Sequence, residues 1–339
     1  MKEALLWKKE NNKVRCNLCA RRCLIPEGKT GFCLVRKNIN GKLFSLNYGK
    51  LVAADVDPIE KKPLFHFLPG SYAFSIAAAG CNYCCSYCCN WYISQVYRDK
   101  RSQEVVGEEY TSEEIVKLAL ENGCKSISYT YTEPTIFFEF AYDTAKLAHK
   151  EGLKNTFVTN GYMTPEAVKH IAKYLDAATV DFKGNADPKF YLKFAKVPSV
   201  EPIFECLKEM KRNKIFIEIT NLVVPKFGEK EESFRKLVRW IIDELGPETP
   251  FHILRFLPNY RVLDWQPTPV KLLDKFWKIA KEEGLIFVYI GNVPGYKENT
   301  YCPKCGELLI ERFGVSALSI NLKNGKCPKC GFKLHGVFA

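Results

Sequence analysis

The sequence predicts an α/β fold: a partial (β/α)6-type, TIM-like barrel flanked by small cysteine-rich metal-binding modules at its N- and C-terminal ends. Three observations carry this. Between about residues 72 and 291, short β-type runs alternate with amphipathic helical segments, the pattern of a parallel sheet with right-handed crossovers. The 15 cysteines are grouped, with clusters at both ends and one in between. The central cluster directly follows the first strand of the alternating region, at the edge where parallel barrels carry their chemistry.

The elements follow in order. Ser75–Ala79 is the first strand and leads into the cysteine loop. Thr111-Ser112-Glu113-Glu114 reads as a capping box, the threonine accepting an amide and Glu114 reaching back, and it opens a helix over 112–121. The runs 126–131, 155–159, 178–182, 215–224, 251–257 and 286–290 read as further strands. Helices are expected over 135–150, after Thr164-Pro165, and over 200–212, 231–245 and 270–283. Residues 1–70 are expected to form an N-terminal cysteine-rich segment, 71–294 the barrel, and 295–339 a compact C-terminal module. Pro294-Gly295 marks the last boundary.

At 339 residues the chain can build one barrel-sized domain with appendages, and its 47% hydrophobic content is that of an ordinary globular protein. The charged start Met1-Lys2-Glu3 is unlike a signal peptide, and no apolar run approaches the ~20 residues of a membrane span. A soluble, cytoplasmic protein with no membrane partner is expected. The net charge of +12 suits an anionic substrate or partner: nucleic acid, an acidic protein or a phosphorylated metabolite. The lysines are spread over most helices, so the charge reads first as a solvated surface.

In a chain without a signal peptide, clustered cysteines read as metal ligands rather than disulfides. Cys81, Cys85 and Cys88 form a C-x3-C-x2-C pattern. Three thiolates hold three irons of a cubane 4Fe–4S cluster and leave the fourth open for a chelating ligand. Zinc knuckles and disulfide clusters also use close cysteines, and Cys84 and Cys89 create further C-x2-C pairs here; these two are read as bystanders. Cys16, Cys19, Cys23 and Cys33 are enough for one metal centre, but spacing does not separate zinc from an auxiliary Fe–S cluster. Cys302-Pro303-Lys304-Cys305-Gly306 and Cys327-Pro328-Lys329-Cys330-Gly331 are two identical knuckles. They suit a zinc ribbon or a rubredoxin-like iron site, with zinc preferred.

The stretch Gly80-Cys81-Asn82-Tyr83-Cys84-Cys85-Ser86-Tyr87-Cys88-Cys89-Asn90-Trp91 resembles the radical S-adenosylmethionine (SAM) enzymes of the AmmeMemoRadiSam system and related proteins similar to pyruvate formate-lyase activating enzyme. The motif there continues Gln-Asn-Trp; here Cys89 replaces the glutamine, while Asn90, Trp91 and Ile93-Ser94-Gln95 fit. The resemblance extends over nearly the whole chain. It implies an oxygen-sensitive enzyme whose 4Fe–4S cluster binds SAM through the open iron. SAM is cleaved to methionine and a 5′-deoxyadenosyl radical, which abstracts hydrogen from a substrate, with a reductant such as ferredoxin or flavodoxin supplying electrons.

Further site residues are expected at strand ends. The resemblance places Tyr129-Thr130-Tyr131-Thr132-Glu133-Pro134 where SAM's amino group is received, and a carboxylate, Glu133, is chemically suited to an ammonium. It also places Asn160, in Val158-Thr159-Asn160-Gly161, along the SAM cleft. Asp181-Phe182-Lys183 is similar to the Asp-x-Lys of activating enzymes, where the lysine meets the SAM carboxylate and the aspartate faces the cleft. Glu218 lies in a strand too polar for pure barrel core, sharing a face with Thr220, and His252 and Arg255 are weaker candidates for ribose, methionine or substrate contact. The substrate is not encoded in any of these motifs. A glycyl-radical-enzyme activase is one alternative. A non-catalytic zinc or iron–sulfur binding or assembly protein is another, against which the charged residues at the strand ends speak.

Overall fold

The structure, a computed structural model, describes residues 1–99 and 104–338. Its centre is an eight-stranded sheet in sequential order: β1 (Ala53–Pro58), β2 (Tyr72–Ala77), β3 (Ser126–Tyr129), β4 (Lys154–Thr159), β5 (Ala177–Lys183), β6 (Phe216–Val223), β7 (Phe251–Arg255) and β8 (Val288–Gly291). β2 to β8 are parallel throughout. Among the described residues β1 and β8 do not pair, so the barrel stays open. β1 runs antiparallel to β2. It lies in the stretch the sequence reading left with the N-terminal segment, because no crossover helix separates it from β2; an antiparallel neighbour needs none.

The helices α1 (Ser112–Glu121), α2 (Phe138–Lys150), α3 (Pro165–Ile171), α4 (Glu201–Arg212), α5 (Glu231–Glu244) and α6 (Val270–Glu283) connect successive parallel strands. The capping box at Thr111 forms as expected, Thr111 Oγ1 accepting from the Glu114 amide at 3.1 Å and Glu114 accepting from the Thr111 amide at 2.7 Å. Thr164 caps α3 through the Ala167 amide at 3.2 Å. Apolar helix positions such as Ile115, Phe140, Ile203, Leu237 and Phe276 share one core with Ile127, Phe157, Val180, Ile219 and Ile253 of the strands. No helix among the described residues is long and apolar enough to cross a membrane.

The C-terminal module is a three-stranded antiparallel sheet, Thr300–Tyr301, Leu308–Phe313 and Ser316–Ile320. It docks at the amino ends of the central strands: Phe67 pairs with Val337, and the Phe216 ring lies 5.4 Å from His335. A buried polar chain runs through this floor. Arg312 donates to Thr300 at 2.8 Å, Tyr289 meets Thr300 at 2.8 Å and His66 at 2.6 Å, and His66 Nδ1 meets the His335 carbonyl at 2.7 Å.

At the other end, the N-terminal segment folds as two small three-stranded antiparallel sheets, one of 7–10, 13–16 and 24–26, the other of 2–3, 42–45 and 36–39 with 42–45 in the centre. A fully buried pair fastens it to α2: Arg36 grips Glu139 at 2.9 and 3.0 Å, and both also bond the backbone of Leu5. Each charge is paired and further hydrogen-bonded, which offsets their desolvation.

Candidate active site

Turns at the carboxyl ends of the parallel strands surround a cleft of about 730 Å³, within the usual range for small-molecule sites. Cys81, Cys85 and Cys88, on the loop after β2, line it. Gly80 lets this loop leave the strand: its φ of +106° is one that L side chains rarely adopt, and a Cβ there would just touch the Cys33 carbonyl oxygen and the Val35 side chain. Burial pushes the thiols of Cys85 and Cys88 up, to about 12 and about 11, and raises that of Cys81 well above the ordinary thiol range. Nearby Lys183 pulls Cys85 the other way. Without metal these are neutral thiols at pH 7, so loading a metal releases protons. Cys89 is exposed on the cleft rim, whereas Cys84 is not in the lining and its amide donates to the Ala195 carbonyl at 3.0 Å.

The expected strand-end residues divide into two layers. Glu133, Asn160, Asp181 and Lys183 all line the cleft. Glu133 is buried and heavily bonded, accepting from the Asn160 amide at 2.8 Å, Thr159 Oγ1 at 2.7 Å, the Thr135 amide at 3.1 Å and the Thr135 hydroxyl. Burial raises its pKa against these donors. Asn160 donates to Asn82 at 2.7 Å, tying β4 to the cysteine loop. The next residue must be glycine: Gly161 has φ +69°, and a Cβ would fall 2.8 Å from Val180 and 2.9 Å from Ile203. Lys183 Nζ pairs with Asp181 at 3.0 Å, and Thr220 donates to the same aspartate. Burial opposes the lysine's charge, but Asp181 more than compensates, leaving its pKa raised.

Glu218 and His252 do not line the cleft. Both face inward, Glu218 two residues below Thr220 toward the amino end of β6 and His252 in register with Thr220 on β7. Glu218 accepts from His252 Nε2 and from the His66 amide, both at 2.7 Å, so the pair belongs to the buried floor. Arg255 is also outside the lining and donates to the Thr268 carbonyl at 3.0 Å. Period-two alternation assigns a face but not a depth: Glu218 lies two residues below the level of Asp181, whereas Arg255 alternates with the cleft-lining Leu254 and so takes the other face.

Two groups, one in the cleft lining and one beside it, escaped the sequence reading. Lys62, 1% exposed, pairs with Asp57 at 2.6 Å and stands over the Tyr131 ring at 4.4 Å, while Tyr131 donates to Asp57. Burial lowers the Lys62 pKa to about 8 despite Asp57. Asn82, buried between the cysteine loop and β4, is the other. Only β1 pairing with β2 brings Lys62 to the site, and no motif marks that strand.

The C-terminal cysteines form a compact set. The sulfurs of Cys302, Cys305, Cys327 and Cys330 all lie within 4.8 Å of one another, with Cys302–Cys330 at 3.5 Å and Cys305–Cys327 at 3.7 Å. Tetrahedral ligation at a metal–sulfur distance of about 2.3 Å puts sulfurs about 3.8 Å apart, so the set fits a single ion.

The fold, an open α/β sheet with three cysteines on the loop after its first parallel strand, is accompanied by a family match: residues 75–241 match the radical SAM superfamily, so the chain carries a radical SAM domain. Over 341 residues it is 47% identical to the Uncharacterized protein MJ0808 of Methanocaldococcus jannaschii, covering 99% of this chain and 100% of that one. Solved structures similar to it include a domain of pyruvate-formate lyase-activating enzyme from Bacteroides vulgatus (18% identity, 49% of this chain and 99% of that one, TM-score 0.42). Another is a radical SAM methyltransferase from Sphaerobacter thermophilus (14% identity, 68% and 70% covered, TM-score 0.48).

Proposed function

We propose that the protein is a radical SAM enzyme in which Cys81, Cys85 and Cys88 hold a 4Fe–4S cluster and the cleft holds SAM. The observation carrying this is that the three cysteines share one cleft with Glu133, Asn160, Asp181 and Lys183. The donor set fits the group: three thiols that converge on the same cleft without the close packing of the C-terminal quartet, as a cubane's separated corners require. When bound, the cluster and SAM would supply one-electron cleavage of SAM and a 5′-deoxyadenosyl radical for hydrogen abstraction, the electron coming from a low-potential carrier protein.

The chain's own residues bind and orient. Lys183, held in place by Asp181 at 3.0 Å, is the cation that would meet the SAM carboxylate; a charge-assisted bond of this kind is worth ~1.5–3 kcal/mol. The Glu133 carboxylate fixes the ends of β3 and β4 through the Thr135, Thr159 and Asn160 donors, and its Oε2, with one donor, keeps capacity for the SAM ammonium. Tyr83 donates its amide to Cys81 Sγ at 3.3 Å, and Ser94 Oγ lies 3.2 Å from Cys88 Sγ; such bonds stabilise thiolate over thiol. The motif Asn90-Trp91 with Ile93-Ser94-Gln95 favours an enzyme of the AmmeMemoRadiSam kind. The C-terminal quartet we assign to a structural zinc ion, since four protein ligands leave no open position.

The test is anaerobic reconstitution with iron and sulfide, dithionite reduction and chromatography for 5′-deoxyadenosine. Formation of 5′-deoxyadenosine that depends on SAM is expected, and its absence from a protein carrying a reduced cluster would reject the reading. Small molecules, peptides and RNA added to the same assay would report a substrate by stimulating cleavage.

A further inference from the structure

Cys16, Cys19, Cys23 and Cys33 all wall one small cavity of about 20 Å³ beneath the N-terminal ribbon. Their arrangement differs from that of the C-terminal quartet. Among the described residues, only Cys302, Cys305, Cys327 and Cys330 bring three or more ligand atoms within 4.8 Å of one another. The N-terminal sulfurs stand around a space instead of meeting at a point. A cubane separates its thiolates further than one ion does, because each thiolate binds its own iron.

The cavity also carries hydrogen-bond donors with nothing to bond. Arg36 and Asn82 both line it, are 2% and 0% exposed, and leave Arg36 Nε and Asn82 Nδ2 unpartnered. Buried donors are rarely left so. The thiol sulfurs already receive main-chain amides: Phe32 to Cys23 at 3.4 Å, and Arg21 and Val35 to Cys19 and Cys33. Bridging sulfides of a cluster would supply acceptors for these donors that a zinc ion lacks.

We infer that these four cysteines hold a second 4Fe–4S cluster, directly behind the loop that carries Cys81. The wall between the two sites is thin. A Cβ at Gly80 would meet the Cys33 carbonyl oxygen at 3.4 Å, and Arg21 Nε donates to the Asn82 carbonyl at 2.5 Å. Arg98 bridges the carbonyls of Phe32 at 2.7 Å and Cys81 at 3.0 Å. This assignment rests on the N-terminal cavity and not on SAM chemistry in the cleft.

The test uses the full-length Cys81→Ala/Cys85→Ala/Cys88→Ala variant, reconstituted anaerobically and analysed for iron, acid-labile sulfide, zinc and the paramagnetic signal after reduction. Retention of about four irons and four sulfides per chain is expected, with a signal that added SAM leaves unchanged. A folded variant with no iron–sulfur absorption, whether it carries a second zinc or no second metal, would overturn the assignment. Should the triple variant fail to fold by circular dichroism, Cys19→Ser in the otherwise intact chain decides: its iron should fall by about half relative to the parent, and equal iron in the two would overturn the assignment. If the cleft reading alone is wrong, the intact chain gives no SAM-perturbed signal while the triple variant still keeps its cluster.

Discussion

Glu218 accepts the main-chain amide of His66 at 2.7 Å, which pins the segment between β1 and β2 across the floor of the open barrel. The histidine ring then joins Tyr289 at 2.6 Å to the His335 carbonyl at 2.7 Å. Since the carbonyl only accepts, Nδ1 carries the proton and Nε2 accepts from Tyr289, so the network is satisfied with a neutral ring.

That neutrality predicts a pH dependence. Burial, with Arg312 and His252 adding to it against Glu218, lowers the His66 pKa from 6.5 to about 4. The unfolded chain therefore binds a proton at a pH where the folded one does not, and stability is lost as pH falls from about 6.5 toward about 4. The loss amounts to at most about 3 kcal/mol. Denaturant unfolding across this range should give a steeper slope for the parent than for His66→Gln, and equal slopes would contradict this.

Glu133→Gln should lower stability by ~1–3 kcal/mol, because an amide nitrogen would face donors that now meet a carboxylate. Denaturant titration of the two proteins measures this. No change in midpoint would mean that the strand-end network does not hold the cleft wall.

Lys183→Ala should weaken SAM binding by ~1.5–3 kcal/mol, about tenfold or more, since the lysine is 18% exposed and its charge is little screened. Calorimetric titration of SAM into the reconstituted protein reads this directly. Unchanged affinity in both Lys183→Ala and Glu133→Ala would remove these residues from the SAM site.

Cys305→Ser should release the C-terminal ion and lower the thermal midpoint, because the module docks through Arg312, which donates to the Phe65 carbonyl at 2.7 Å and is held within the module by Thr300. Basal SAM cleavage should persist in the folded fraction. Full metal content and an unchanged midpoint in Cys305→Ser would contradict the structural role.

Much of this was legible in the residues. The β–α alternation announced the parallel strands, and the Thr111–Glu114 capping box and Thr164-Pro165 announced their helices. The spacing of Cys81, Cys85 and Cys88 marked the loop that lines the cleft at the carboxyl ends of the strands. What stayed hidden is long-range. β1 carries no helix to mark it, so Lys62 and Asp57 could not be placed at the cleft. Glu218 and His252 look like ligand-facing residues because polarity in a strand signals a ligand and a buried network alike. Their burial depends on the 59–70 segment closing the barrel floor, a pairing set by tertiary contacts such as His66 with Glu218.

The measurement that tests the central claim most directly is 5′-deoxyadenosine formation by the reconstituted, reduced protein beside its Cys81→Ala, Cys85→Ala and Cys88→Ala variants. Turnover of SAM by the parent, lost in each of the three and kept in Cys84→Ala and Cys89→Ala, is the expected result. Undiminished cleavage in any one of the three, or none in the cluster-bearing parent, would contradict the account.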